Sequence, residues 1–508
     1  MTESLPVDGE SLTLDQFLAV ARGGCAVGIA PEARAKVAAS RRAVERAVER
    51  HRIVYGVTTG FGSLSEKVVP SDAARELQLS LVRSHSSGVG APLPADVVRG
   101  MLLLRLNSLT KGHSGVRLEL LETLASVLNH RLVPWIPEQG SVGASGDLAP
   151  LAHLGLALLG EGAFVGPDGA RQPAAPALAA AGIAPVVLQE KEGVALINGT
   201  SLMASYLSLA LEDVRGLLDA ATLAAALSFD ALKGHPGALD DRLSALKNLP
   251  EQRASAAALR TLLADSQLSV DRGETAGQDP YTLRCLPQVL ASVRLALGFA
   301  SKIAEAELNA VSDNPVIFEG DEFVSGGNFH GQSLALALDT LAIAVQYIAG
   351  FSERRIARLV HPALNRGLPP FLAPEAGVSS GFMIPQYVAA ALVNENQTLV
   401  HPASAASLPT SADQEDFVSM GPWAGAKLRR MIANARTVVG IEWLVAGQAL
   451  ELRRPLHGGR GSEAALRALR EGVRPWGRDR SPAPDIEWVA GALADGRLVR
   501  KVRTDVPF

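Results

Sequence analysis

The stretch GSVGASGDLAPLAH, residues 140–153, joins a glycine-rich segment to the start of an apolar helical pattern. A P-loop would need a lysine after its last glycine, whereas Asp147 stands there and would repel phosphate. A nucleophile elbow, Gly-x-Ser-x-Gly, would need glycine at the same position. A dinucleotide fingerprint would need a preceding strand and a different glycine spacing. These three kinds of site are therefore excluded.

Two interpretations of the stretch remain open. One is a plain glycine-rich entry to a helix, capped by Ser145 or Asp147. In the other, the nitrogen of Gly146 attacks the carbonyl of Ala144 and closes a five-membered ring. Glycine suits this attack because it has no Cβ to shield its amide. Loss of water from the ring and from Ser145 would leave a methylene conjugated to a carbonyl, an electrophile that no standard side chain supplies.

Composition limits the class of protein. The chain has 508 residues and a net charge of −4, so we expect two or three domains or subdomains and no nucleic-acid partner. Two cysteines and a polar, acidic N-terminus favour a reducing, cytoplasmic location without a secretory signal. The most apolar run, residues 333–351, contains Asp339 and ends at charged residues, which favours a buried helix over a membrane span.

Hydrophobic periodicity predicts a mainly α protein with a long central helix bundle. Helical patterns cover 11–50, 71–85, 95–129, 201–232, 286–310, 333–360 and 384–400. Met203, Leu207, Leu211, Val214 and Leu218 share one predicted helix face. Residues 161–190 indicate an irregular or short-strand excursion, and the charged segment 462–485 indicates a mobile helical appendage. We divide the chain into an N-terminal region (1–200), a central bundle (201–450) and a C-terminal helical tail (451–508).

Together with residues 144–148, eight further blocks resemble the aromatic amino acid ammonia-lyases, and within them most resemble the bacterial histidine ammonia-lyases. The blocks are YGVTTGFG (55–62), LINGT (196–200), QDPYTLRC (278–285), SDNP (312–315), GGNFHG (326–331), SGFMIPQ (380–386), ENQTLVHPAS (395–404) and TSADQEDFVSMG (410–421). They occur in the order expected for that family and span roughly residues 50–425.

The resemblance implies a prosthetic group made from the chain itself. Ala144, Ser145 and Gly146 would form a methylidene-imidazolone (MIO) autocatalytically, with Asp147 as a helper. The N-terminal region would then carry the MIO, and neither an external cofactor nor a metal would be needed. The resemblance also implies a homotetramer whose active sites combine residues of three subunits.

It further implies the roles of individual side chains. Tyr55 or Glu415 would handle the β-proton, and Tyr281 would lie near the MIO and help in its formation or in catalysis. The amide of Asn198 would contact the MIO or the substrate carboxylate. The remaining assignments are Arg284 for the carboxylate, Gln278 for orienting the substrate and Phe329 for lining the pocket. His330 is interpreted as a structural histidine.

The substrate is inferred from two positions. Ser84-His85 follows the histidase pattern, and His85 pairs with an imidazole through complementary tautomers. Glu415 accepts an imidazole N–H, whereas an apolar ring would leave this carboxylate unsatisfied. Phe417 and Val57-Thr58 depart from the usual histidase sequence.

The leading hypothesis is therefore conversion of L-histidine to trans-urocanate and ammonia. The alternatives are a tyrosine or phenylalanine lyase, an MIO-dependent aminomutase, and an inactive helical homologue that acts in assembly. The partner is a small amino acid in every case but the last, and no membrane is involved.

Overall fold

The computed structural model describes residues 4–64, 66–70, 73–269, 278–375 and 377–508, which form a mainly α fold as the sequence predicts. The helices of this part are α1 (Leu14–Ala21), α2 (Pro31–Glu49), α3 (Ala74–His85), α4 (Ala95–Thr110), α5 (Leu118–Asn129), α6 (Leu148–Leu158), α7 (Ala174–Ala180), α8 (Glu192–Ile197), α9 (Ser201–Ala231), α10 (Asp241–Lys247), α11 (Pro250–Leu262), α12 (Tyr281–Arg284), α13 (Leu286–Leu308), α14 (Gln332–Val360), α15 (Met383–Leu399), α16 (Gly421–Glu451), α17 (Arg460–Leu469), α18 (Ala483–Ala494) and α19 (Arg497–Asp505).

Short strands accompany the helices. They are β1 (Leu5–Val7), β2 (Val27–Ile29), β3 (Val89–Pro92), β4 (Pro137–Gln139), β5 (Ala163–Val165), β6 (Arg171–Pro173), β7 (Val316–Phe318) and β8 (Glu322–Val324). β1 and β2 pair in parallel, and β3–β4, β5–β6 and β7–β8 pair antiparallel. β5, β6 and α7 confirm the predicted short-strand excursion within 161–190.

The chain divides into two compact units that are each discontinuous in sequence. Unit 1 comprises Met1–Leu209, Ala300–Asp339 and Pro402–Ala426, and unit 2 comprises Ala210–Phe299, Thr340–His401 and Lys427–Phe508. The division into three consecutive regions stays a prediction, because the units follow contacts rather than chain order.

Unit 1 is built around α4, which is buried along its whole length from Val97 to Thr110. The β3–β4 pair positions the site, because β3 follows α3 closely and β4 ends directly before Gly140. The backbone N–H of Gly88 also donates to His153 Nε2 on α6 at 3.0 Å. The end of α3 is therefore tied to the loop that precedes α6.

Unit 2 contains a buried charge pair inside its helix packing. Arg355 on α14 donates to Glu442 on α16, with Nε–Oε1 2.6 Å, and Ser228 Oγ donates to the same oxygen at 2.6 Å. The expectation of a mobile appendage at 462–485 is wrong, since Leu466 and Leu469 of α17 and Trp476 are buried. Burial of these apolar side chains holds the segment in place, although many of its other residues are charged.

Helix α14 is long and apolar enough to cross a membrane by length and composition alone, but 61% of its most apolar window is buried within the protein. Asp339 on this helix accepts hydrogen bonds from the backbone N–H and the hydroxyl of Ser404, at 2.8 and 2.7 Å. This packing agrees with the predicted buried helix.

Candidate active site

The Ala144–Gly146 loop has an unusual backbone conformation directly before α6. Ser145 has φ +46° and Gly146 has φ +81°, and the first of these is uncommon for a residue with a side chain. Neither Ser145 nor Asp147 caps α6: Asp147 stands at the N-cap position, but its side chain makes no capping hydrogen bond there. The interpretation as a plain capped helix entry is therefore wrong.

Asp147 instead caps a different helix. Its Oδ2 accepts the backbone N–H groups of Leu202 (2.7 Å) and Met203 (3.2 Å), at the start of α9. Its Oδ1 is buried and has no hydrogen-bond partner among the described residues. Burial raises the pKa of this carboxyl to about 7, against the opposing effect of the two N–H donors. Asp147 is thus able to exchange a proton near neutral pH.

The loop is held by the backbone of the LINGT block. The N–H of Gly199 donates to the carbonyl of Ser145 at 3.2 Å, and the N–H of Asp147 donates to the carbonyl of Gly199 at 2.7 Å. A Cβ on Gly146 would lie 2.1 Å from that Gly199 oxygen. Only glycine therefore permits this close approach.

A cavity of about 490 Å³ opens beside the loop. Six of the residues predicted for the site line it: Tyr55, His85, Ser145, Asn198, Phe329 and Glu415. An adjoining cavity of about 420 Å³ shares four of these and also reaches Ala144 and His330. The structure thus brings together side chains that are up to 360 positions apart in sequence.

Glu415 is held firmly at the edge of this cavity. Ser145 Oγ donates to Glu415 Oε1 at 3.2 Å, and Thr410 Oγ1 donates to Oε2 at 2.9 Å. The backbones of Thr410 and Glu415 also pair, across a turn in which Ser411, Ala412 and Asp413 all have φ between +52° and +64°. Strained backbone of this kind occurs at functional sites, where the surrounding structure maintains it. Thr410 was not identified from the sequence.

His85, the last residue of α3, has a defined tautomer. Its Nδ1 lies 2.9 Å from the carbonyl oxygen of Leu81, which only accepts, so Nδ1 carries the proton. Burial lowers the pKa of the imidazole, although the Leu81 hydrogen bond and the charge of Glu415 oppose this. His85 is therefore neutral at pH 7 and has Nε2 available as an acceptor.

Tyr55 and Asn198 contribute polar groups to the same cavity. The Tyr55 hydroxyl oxygen accepts the backbone N–H of Gly62 at 3.3 Å, which leaves the hydroxyl proton available. Asn198 Nδ2 donates to the carbonyl of Asn314 at 3.1 Å, while its buried Oδ1 has no partner in the described part of the chain. Phe329 is half-buried rather than part of the core.

The two departures from the histidase pattern have different locations. Val57 is fully buried in an apolar cluster, and Thr58 Oγ1 donates to the carbonyl of Arg52 at 2.8 Å, so neither lines the cavities. Phe417 stacks on His330, with ring centroids 6.3 Å apart, and its carbonyl oxygen lies 3.0 Å from His330 Nε2. Both side chains are exposed and line the 420 Å³ cavity, so the structural role of His330 stays a prediction.

The structure does not bring the QDPYTLRC residues to this cavity. Gln278, Tyr281 and Arg284 belong to unit 2 and none of them lines it. The Arg284 guanidinium lies 4.6 Å from the centre of the Tyr281 ring, and its Nε donates to the carbonyl of Asp279 at 2.9 Å. Tyr281 is 66% exposed, which is unusual for a large aromatic side chain.

Behind the loop lies a group of buried charges that sequence reasoning missed. Arg105 and Lys191 are both fully buried, and Lys191 Nζ lies 2.7 Å from Asp313 Oδ2. The available signal was the arginine in the otherwise apolar run MLLLRL (101–106), since an arginine is almost never buried without a partner.

Comparisons with known proteins agree with this geometry. A sequence profile of the aromatic amino acid lyase family matches residues 12–471. A histidine ammonia-lyase of Symbiobacterium thermophilum is 50% identical over 495 residues, 97% of each chain. The crystal structure of histidine ammonia-lyase from Trypanosoma cruzi is 39% identical, with a TM-score of 0.91, over 99% of this chain and 96% of that chain. The crystal structure of tyrosine aminomutase from Streptomyces globisporus is 38% identical, with a TM-score of 0.94, over 100% of this chain and 99% of that chain.

The family profile covers most of the chain, and these relatives match it almost from end to end. Members of the family act on small amino acid substrates and in general depend on MIO. The chain therefore belongs to the aromatic amino acid lyase family and is an ammonia-lyase enzyme.

Proposed function

We propose that the chain converts L-histidine to trans-urocanate and ammonia. The observation that carries this proposal is the cavity that combines the Ala144–Gly146 loop with His85 and Glu415. These side chains offer a neutral imidazole acceptor and a carboxylate beside the loop. The histidine ammonia-lyase from Symbiobacterium thermophilum, at 50% identity, supports the same substrate.

The electrophile forms from the loop by loss of two waters. The Gly146 nitrogen bonds to the Ala144 carbonyl carbon, whose oxygen leaves as water. Ser145 then loses its hydroxyl and its α-hydrogen as the second water. Ser145 at φ +46° and the unshielded Gly146 fit this cyclisation, and Asp147, with its raised pKa, carries protons as a helper. The resulting MIO supplies an electrophile for the substrate nitrogen.

His85 and Glu415 select the imidazole ring. His85 Nε2 accepts the N–H of a substrate imidazole, and Glu415 accepts from the ring or its cation. Once Ser145 has lost its hydroxyl, Glu415 Oε1 also loses the donor it has in the uncyclised chain. A phenyl ring would leave both acceptors unsatisfied, at a cost of about 1–3 kcal/mol for each buried group.

Tyr55, in its phenolate form after its own hydroxyl proton has been lost, is the proposed acceptor of the β-proton. Its hydroxyl faces both cavities beside Ser145, and the backbone N–H of Gly62 holds the phenol oxygen in place. The β-carbon of the substrate is only weakly acidic, so a base positioned here is needed to remove its proton. Asn198 lines the same cavity, and its Oδ1, which has no partner in the described part of the chain, is an acceptor suited to the substrate amine.

The substrate carboxylate needs a cation, for which a bidentate arginine is the best geometric match. We assign this role to Arg284, with Gln278 and Tyr281 beside it, supplied by neighbouring subunits of a homotetramer. The exposure of Tyr281 and its stacking under Arg284 support this assignment. Light scattering on the purified protein tests it: a monomeric active enzyme would contradict the composite site.

The function is tested by assaying histidine, tyrosine and phenylalanine in parallel by ultraviolet absorbance, with chromatography for β-amino acids. We expect urocanate from histidine, and a protein two waters lighter than its sequence. Ser145→Ala is the matched control, since it has no hydroxyl to lose, and we expect it to fold but to be inactive. Activity on tyrosine without urocanate would instead support a tyrosine lyase or an aminomutase, which the likeness to tyrosine aminomutase makes the second candidate.

A further inference from the structure

Arg105 is a buried cation directly behind the Ala144–Gly146 loop. It lies on α4, and its side chain is completely enclosed by the protein. Its Nη1 donates to the carbonyl oxygen of Asn198 at 2.7 Å, while its Nε and Nη2 have no hydrogen-bond partner within the described residues. A buried guanidinium with two unused donors is costly, so its retention requires an explanation other than stability.

The hydrogen bond of Arg105 reaches the loop through a single peptide group. The carbonyl that accepts from Arg105 belongs to the Asn198–Gly199 peptide, and the N–H of this same peptide donates to the carbonyl of Ser145 at 3.2 Å. Guanidinium, peptide and Ser145 carbonyl thus form a hydrogen-bonded chain. In a chain of this kind each bond polarises the next, so a positive charge at one end strengthens the donor at the other.

The local packing keeps this chain short. A Cβ on Gly199 would lie 2.3 Å from Arg105 Nη1 and 2.7 Å from Ser312 Oγ, so a residue with a side chain would separate the guanidinium from the peptide. Gly199 also has φ +154°. The absence of a side chain at Gly199 therefore permits the approach of Arg105, as its absence at Gly146 permits the approach of the Gly199 carbonyl.

The positive charge of Arg105 is balanced only by carboxylates that make no hydrogen bond to it within the described residues. Burial lowers the pKa of its guanidinium, and the charges of Asp313 and Asp147 oppose this, but arginine stays protonated in proteins. Asp313 is already hydrogen-bonded to Lys191 at 2.7 Å. Arg105 thus directs its positive charge towards the Asn198 carbonyl.

We propose that Arg105 is a positioning residue that acts through the Asn198–Gly199 peptide to stabilise negative charge on the carbonyl oxygen of residue 145. This proposal rests on the proposed function. Such charge develops twice. When the Gly146 nitrogen loses its proton, before it bonds to the Ala144 carbonyl carbon, the negative charge of that amide is shared with the Ser145 oxygen. The electrophile that would form from this loop would draw electron density onto the same oxygen when it acts, so a donor held there would serve both stages.

The test compares substitutions of two buried arginines on α4. Arg105→Met and Arg105→Lys change the proposed residue. Arg99→Met and Arg99→Lys are matched controls, because Arg99 also donates to backbone carbonyls, those of Val20 and Ala21, at 2.8–3.3 Å. For each protein, circular dichroism reports folding, intact mass reports the fraction of chains that have lost two waters, and kinetics give kcat per matured chain and KM.

We expect Arg105→Met to contain fewer matured chains and to lose at most about tenfold in kcat per matured chain. The loss should be smaller than the roughly 100- to 1,000-fold cost of removing a direct oxyanion donor, because Arg105 acts through a peptide group. KM should change by less than about twofold, because uniform binding is untouched. Arg105→Lys keeps the positive charge, so its fraction of matured chains and its kcat should lie between those of the wild type and those of Arg105→Met. If Arg105→Met does not fold, the comparison of Arg105→Lys with Arg99→Lys decides.

Equal maturation and equal kcat for the Arg105 and Arg99 variants would overturn the proposal and leave Arg105 a structural residue. The wild-type protein separates this failure from failure of the proposed function. A wild-type chain that has not lost two waters, or that forms no urocanate, would refute the function itself.

Discussion

His85→Leu removes the acceptor that the structure presents to a substrate imidazole. His85 lines the cavity, and because its Nδ1 is bound to the Leu81 carbonyl at 2.9 Å, Nε2 is the ring nitrogen left to accept a hydrogen bond. Leucine fills a similar volume with apolar surface and leaves the substrate N–H without a partner. An unsatisfied buried donor costs about 1–3 kcal/mol. At about 1.4 kcal/mol for each factor of ten, kcat/KM for histidine should fall roughly 5- to 150-fold.

Phenylalanine has no ring N–H, so it does not incur this loss. We therefore expect the ratio of kcat/KM for histidine to that for phenylalanine to fall by at least the same factor. The assay measures urocanate and cinnamate formation by absorbance over a range of concentrations of each substrate. Intact mass is recorded in parallel, so that only matured chains are counted.

His130→Leu is the matched control. His130 directly follows the last residue of α5, and its Nδ1 lies 2.9 Å from the carbonyl four residues earlier, that of Ser126, but it is exposed and does not line the cavity. Its substitution should leave both substrates unaffected. If His85→Leu retains the wild-type kcat/KM for histidine, His85 does not pair with the imidazole and the substrate assignment loses its main support.

Three further outcomes are expected. Gly146→Ala should give a chain that retains both waters and has no turnover, because its Cβ would lie 2.1 Å from the Gly199 oxygen; intact mass measures this. Thr410→Val removes the 2.9 Å hydrogen bond to Glu415 and, at about 1–1.5 kcal/mol, should lower kcat/KM for histidine by roughly tenfold. Asp147→Asn should flatten the decline of melting temperature between about pH 4 and pH 7. Burial raises the pKa of Asp147 from 3.8 to about 7. The folded protein is therefore stabilised by the protonated carboxyl at low pH, and this stabilisation is lost as the pH rises through 7. The free energy of unfolding should fall by on the order of 4 kcal/mol over this range.

These predictions have their own controls. Gly216→Ala, where a Cβ would meet nothing within 4 Å, should retain full activity. Thr123→Val removes a similar hydroxyl bond, to the carbonyl of Glu119 at 2.8 Å on exposed helix surface, and should leave kcat/KM unchanged. The Asp147 comparison is made in Ser145→Ala protein, so that maturation does not vary. If the stability difference between the proteins with and without Asp147→Asn does not change between about pH 4 and pH 7, this carboxyl does not titrate in that range.

The sequence predicts most of the helices because their apolar periodicity is strong, as at α9, α13, α14 and α15. It fails at α16, a 31-residue helix that begins at Gly421 and contains three further glycines. Isolated glycines normally indicate breaks. Here they indicate contact: a Cβ on Gly421 would lie 2.2 Å from Met203 Sδ, and one on Gly425 would lie 2.6 Å from the Tyr206 ring. Such packing between distant segments cannot be inferred from local pattern.

The site shows the same limit. Family blocks identify the side chains that line the cavity, but not the interactions that hold them. Asp147 looks like a cap for the helix that follows it, yet its carboxylate binds the start of α9, 55 residues away. Thr410 looks like an ordinary turn residue, although it fixes one oxygen of Glu415. These partners depend on the tertiary fold, which brings the loops together only after the helices have packed.

Under the proposed function, the hydrogen bond between Ser145 and Glu415 connects cyclisation of the loop with substrate recognition. In the uncyclised chain the Ser145 hydroxyl occupies Glu415 Oε1 at 3.2 Å, while Thr410 occupies Oε2 at 2.9 Å, so neither oxygen lacks a donor. Formation of the electrophile removes the Ser145 hydroxyl and with it one of these donors. A carboxylate left short of a hydrogen bond in a partly buried site binds a replacement donor strongly. Under the proposed function, the reaction that creates the electrophile therefore also prepares Glu415 to accept the imidazole, and we expect a chain that has not cyclised to bind histidine more weakly as well as to be inactive.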